Sequence, residues 1–152
     1  MPIQQDAEAA TAIRAHHDEL RDTLRARVGD LRDAVRAGRP REVSERAVLG
    51  YLEGNLLPHA AAEEAVLYPA GDTGLTALLV RAMREEHKGV IANVERLHGA
   101  ADGLEAVATA STILALFEAH LWKENELLIP ALVADPSVSL GELLSGLHEL
   151  VG

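Results

Sequence analysis

The phrase that begins at His59, "HAAAEEAVLYPA", returns at His120 as "HLWKENELLIPA": His, three residues, Glu, then Leu, Pro and Ala at matching positions. Residues four apart share one face of a helix, about 6 Å apart along its axis. His59 and Glu63 therefore point one way, and so do His120 and Glu124. The apolar neighbours fall on that same side: Leu52, Leu56 and Val66 in the first copy, Phe117 and Leu127 in the second. That side faces the core. A carboxylate buried among aliphatic groups costs several kcal/mol unless something compensates it. Only two Lys exist, Lys88 and Lys123, and neither lies on a core stripe. A bound cation removes the difficulty, so the phrase calls for helices packed face to face around metal.

Two further helices complete the set. Breaks at Gly38-Arg39-Pro40, Pro69 to Gly74, Gly99 to Gly103 and Asp135-Pro136 divide the chain into five helical segments. Four are long, with short connections, which predicts an all-α, up-down-up-down four-helix bundle in one domain over residues 1–152. A short amphipathic helix over 139–151, with Leu143, Leu144 and Leu147, should pack outside it as a cover. Aromatic residues make up only 3% of the chain, so the core must be Ala, Leu and Val, which suits helices better than a sheet. Pro58 inside the second segment removes an amide donor and should kink it.

In the third segment Val80, Met83, His87, Ile91 and Val94 form one stripe with His87 at its middle. In the first, the stripe of Ile13, Leu20, Leu24 and Leu31 centres near His17, with His16 about 80° off it. The inward set is then His17, His59, Glu63, His87, His120 and Glu124. Two carboxylates can each bridge two ions while two His cap each ion, so the count suits a dinuclear site. Imidazole with carboxylate fits iron, zinc or manganese, and the absence of Cys rules out thiolate ligation. His98 lies about 16 Å along the helix from His87 and is assigned a structural role. His148 and His16 are assigned to the surface, Trp122 to the outer cover, and Tyr51 to a position beside the stripe of His59.

This ordered set, with "EEAVLYP" after His59, resembles the hemerythrin-like HHE cation-binding domain from His17 to Pro130. The resemblance implies a four-helix bundle around an oxo- or hydroxo-bridged centre of two non-heme irons that binds or reacts with O2, NO or peroxide. His17 and His59 would hold one iron, His87 and His120 the other, with Glu63 and Glu124 bridging. Zinc or manganese are the lesser alternatives. Oxygen carriers of the family have a second His four residues after the third-helix His, where this chain has Ile91. They also close with an Asp five residues after the fourth-helix His, where this chain has Glu124 at four. Both departures point away from reversible O2 carriage. Because Ile91 is expected to face inward without ligating, one position on its iron is left to Tyr51 or water. Three functions share this centre: a small-ligand binder, a di-iron enzyme acting on peroxide, and a bundle held together by structural or stored metal.

The formal charge of −10 argues against nucleic acid or an anionic membrane as partner, since phosphate binding needs clustered Lys and Arg. The arginines of the first helix, Arg14 to Arg36, alternate with acids as a solvated face does. No apolar run approaches the roughly 20 residues of a membrane span. The start, "MPIQQDAEAA", has no signal-peptide pattern, and with the absence of Cys this favours the cytoplasm.

Overall fold

The computed structural model describes residues 2–151, with side chains from 4 to 150. Five helices make up the described residues, with no strand among them: α1 (Pro2–Arg36), α2 (residues 42–71), α3 (Ala77–His98), α4 (Gly103–Ala134) and α5 (Leu140–Val151). Turns at Gly38 (φ 65°) and Gly74 (φ 54°) use the left-handed backbone that glycine adopts without strain. Asp102 caps α4, its carboxylate accepting from the Glu105 amide at 2.8 Å.

The apolar core is in two parts. One cluster gathers Leu20 and Leu24 of α1, Leu52 and Leu56 of α2, Val90 and Val94 of α3, and Ile113 and Phe117 of α4. The other gathers Ile13, Leu67, Met83 and Leu128 with Leu140 of α5. Between them, on every long helix, sit the polar residues: His17, His59 with Glu63, His87, and His120 with Glu124, all buried. α1 and α3 pass from the second cluster to the first, α2 and α4 from the first to the second. A polar layer closed off above and below by aliphatic side chains is thus built into the chain order.

Single π-turns interrupt α2 at Leu52–Leu56 and Glu63–Leu67, and α4 at Glu124–Leu128. In each, the closing amide reaches back five residues: Leu57 to Leu52 O, Tyr68 to Glu63 O, Ile129 to Glu124 O. Each of these donors is followed by a proline, Pro58, Pro69 or Pro130. A proline ring clashes with the carbonyl four residues back and offers it no amide. The wider turn just upstream accommodates both defects, so the helices continue where a simple kink was expected at Pro58.

The π-turns also correct the stripes. Leu127, expected inward, is 45% exposed, and Leu128 is fully buried in its place. Leu67 likewise takes the core position expected for Val66, which lies half-buried under α5, against Gly146. α4 corrects another expectation, since by length and composition it could cross a membrane (mean hydropathy 1.3). It packs here on α1 and α3 and carries His120 and Glu124 into the polar layer.

Candidate metal centre

All four imidazoles of the polar layer turn the same way: each presents Nε2 to the middle, and three anchor Nδ1 on a neighbouring helix. His87 Nε2 and His120 Nε2 lie 3.0 Å apart. Glu124 spans the layer, with Oε1 2.6 Å from His120 Nε2 and Oε2 3.2 Å from His17 Nε2. Glu63 Oε1 lies 3.0 Å from His59 Nε2, on the next turn of its own helix. The donor atoms of His17, His59 and Glu63 fall within 4.8 Å of one another, and so do those of Glu63, His87, His120 and Glu124. Glu63 belongs to both groups. All six residues picked out in the sequence meet in this layer.

The donors have the character of an ion site. His17 Nε2, His59 Nε2, Glu63 Oε2 and Glu124 Oε2 are buried with no hydrogen-bond partner. Buried polar atoms are nearly always paired, and leaving one unpaired costs about 1–3 kcal/mol. Four such atoms converging from three helices, nitrogen and oxygen only, suit a cation of the imidazole–carboxylate class.

Tyr68 also enters the layer. It is fully buried, donates to Glu124 Oε1 at 2.7 Å, and holds its oxygen 3.0 Å from His120 Nε2 and 3.3 Å from His87 Nε2. In an α-helix, residue 68 would lie about 140° round from Glu63. The i→i+5 turn brings it onto nearly the same face. Tyr51, the phenol considered from the sequence, is elsewhere: it packs against the first apolar cluster with the Arg27 guanidinium 5.4 Å from its ring centroid. Ile91 is also corrected. It is 45% exposed and lines a shallow outer groove with Leu78, Arg81 and Lys88. The buried stripe of α3 runs His87, Val90, Val94, Leu97, drifting away from position 91. Ile91→His should therefore leave metal content and optical spectrum unchanged. Tyr68→Phe should destabilise the metal-free protein by about 1.5–3 kcal/mol, the range for a hydrogen bond to a charged group, as denaturant melts would measure.

The remaining candidates lie outside the layer. His16 is exposed, its ring 5.0 Å from that of His59. His98 pairs with Glu53 at the surface, and Trp122 is exposed. His148, also exposed, stands with Leu144 and Leu147 over a cavity of about 90 Å³. His16, His17, His59, Glu63, Ile13 and Leu67 are among the other residues of its wall.

Burial keeps His17, His59 and His87 neutral, with pKa values below the ordinary one. His120 behaves oppositely. Burial opposes its charge, but hydrogen bonds to Glu124 and Glu86 outweigh it and push the imidazole up to about 10. Burial, then the charge of Glu124, lifts Glu63 well above the ordinary carboxylate range. Glu124 is also disfavoured by burial, yet hydrogen bonds to Glu63 and His120 hold it well below that range. In the metal-free layer these directions favour a charged Glu124 and His120 beside an uncharged Glu63.

A group with a raised folded-state pKa adds stability that is present below its unfolded value and lost as pH rises through the folded one. His120 and Glu63 share this sign. The metal-free protein should therefore lose stability steadily between about pH 6.5 and pH 10, as denaturation at several pH values would show. The loaded protein should lack that slope, because binding displaces these protons.

A helical fold with a buried layer of four His and two Glu that could hold metal ions is the class of domain these residues describe. The hemerythrin HHE cation-binding domain model matches residues 8–132, and the chain belongs to that family. No curated protein and no solved structure matches it. The match ends before α5, which supplies Leu144, Leu147 and His148 to the cavity.

Proposed function

We propose that this chain is a non-heme di-iron protein whose centre binds or reacts with O2, NO or peroxide. Its four long helices form an up-down-up-down bundle, in keeping with the alternating sense in which they cross the two apolar clusters. His17 and His59 hold one ion, His87 and His120 the other, and Glu63 and Glu124 bridge them. The carrying observation is the convergence of four Nε2 atoms on two carboxylates, four of whose atoms are buried without a partner. When bound, two irons supply redox chemistry at a site with room for a small ligand.

The chain's own residues do the rest. Leu67 and Leu128 close the layer on one side and Leu56 and Phe117 on the other, excluding bulk water. The cavity against His17, His59 and Glu63 fits a diatomic or peroxide-sized molecule, which favours ligand chemistry over metal that only holds the helices together. Tyr68 keeps a proton at its oxygen, beside His87 and His120. A peroxide-decomposing enzyme is the second reading, supported by that O–H within the layer. The cytoplasm remains the proposed compartment.

Metal analysis with an optical spectrum of the protein as isolated tests the centre. Two irons per chain and near-ultraviolet absorption are expected, whereas one ion or fewer, or a colourless zinc protein, would refute it. Reduced protein exposed to air should oxidise without a long-lived oxygen adduct. Oxygen evolution from peroxide would favour the enzyme, and a reversible NO difference spectrum the binder.

A further inference from the structure

The two halves of the layer repeat each other in sequence, and what surrounds the imidazoles does not. Glu64, the residue after Glu63, accepts from His87 Nδ1 at 2.8 Å. Its counterpart after Glu124 is Asn125, whose Oδ1 accepts from His17 Nδ1 at 2.7 Å. The residue before His87 is Glu86, which accepts from His120 Nδ1 at 2.7 Å. The residue before His17 is His16, whose ring rests against that of His59. Among the described residues no hydrogen bond reaches His59 Nδ1. One pair of imidazoles is therefore backed by two carboxylates, the other by an amide and a second imidazole.

The supports are themselves fixed. Lys123 binds Glu86 through Oε1 and leaves Oε2 to His120. Arg14 donates to the Asn125 carbonyl and pairs with Glu126, holding Asn125 in place. A carboxylate behind Nδ1–H makes the opposite nitrogen a stronger donor, and losing such a partner typically weakens metal binding roughly 10–100-fold.

We propose that the two metal positions are unequal by construction: the His87–His120 position binds its ion first and tightly, and the His17–His59 position binds second and exchanges. This rests on the dinuclear reading above. It identifies Glu64, Glu86 and Asn125 as positioning residues that set the order of loading. The sequence repeat alone does not show this inequality, since it gives each ion two His and the same two carboxylates.

The test is stepwise titration of the metal-free full chain with Zn(II), followed by calorimetry and by ¹⁵N NMR of labelled histidines. The first equivalent should shift the Nε2 signals of His87 and His120, and the second those of His17 and His59. The first should bind about 10–100-fold more tightly. Glu64→Gln and Glu86→Gln should each weaken the first step by a comparable factor and leave the second unchanged. Asn125→Asp should strengthen the second step, a gain that a merely damaged fold cannot produce. Two equal steps, or a first ion on His17 and His59, would overturn the proposal while the dinuclear centre stands. Binding of one ion or none in the wild type would overturn both.

Discussion

Loading the metal-free protein with two ions should raise its melting temperature by roughly 10–20 °C. Each ion at a free concentration about 100 times its dissociation constant adds about 2.7 kcal/mol. For a chain of this size one kcal/mol moves the midpoint by about 2–4 °C. The stabilisation arises where four buried donor atoms lack partners, two nitrogens and two carboxylate oxygens that the ions would engage. Differential scanning calorimetry of chelated and loaded protein measures it. Coincident melting curves would show that the layer is content without metal and that the ion reading of Glu63 and Glu124 is mistaken.

Two substitutions that look alike should act in opposite ways. Glu63 is pushed toward its protonated form by burial and by Glu124, so Gln replaces it almost isosterically. Glu63→Gln should leave the metal-free protein about as stable as the wild type, since the carboxyl it replaces already favours its uncharged form. Glu124 is charged in the same state and holds Tyr68 and His120. Glu124→Gln should destabilise the metal-free protein by about 3–5 kcal/mol, the effect of leaving a buried charge without its partner. Both variants should lose the two-ion complex, with affinity down by more than the roughly 100-fold of an outer-shell change. Denaturant melts in chelator, paired with metal analysis after loading, separate the two effects. Equal destabilisation by both would mean that the layer does not share its proton as described.

Much of the layer was legible in the sequence because helical spacing acts over short distances. His59 with Glu63 and His120 with Glu124 are fixed by the four-residue step, and the stripe of Ile13, Leu20 and Leu24 separates buried His17 from exposed His16. Five helices follow from the Gly and Pro breaks. What failed was extrapolation at a constant 100° per residue. Past Glu63 and Glu124 an extra residue enters the turn, so Val66 and Leu127 gave up core positions to Leu67 and Leu128, and Tyr68 rotated into the layer. The recurring proline one residue after each closing amide was the available signal. Ile91 failed for a different reason: α3 tracks its neighbours through steps of three and four that leave position 91 outside. The Nδ1 partners Glu64, Glu86 and Asn125 come from adjacent helices, and no single-helix periodicity can locate them.

A helix holding a π-turn carries one residue more than its length requires. One such surplus in α2, and the one in α4, lies between the buried Glu of the layer and the proline that follows it. Elsewhere on a helix, losing one residue turns everything beyond it by a quarter of a circle and ruins the packing. Here a deletion among residues 64–67 or 125–128 would shorten a wide turn to an ordinary one, and the acid and its His would keep their places. The far segment, with Tyr68 or Ile129, would keep its face as well, since four residues through an ordinary turn reach about the same side as five through a wide one. Between each of these acids and its proline, the chain thus has a point where its length can change while the buried layer and the segment beyond it both keep their faces.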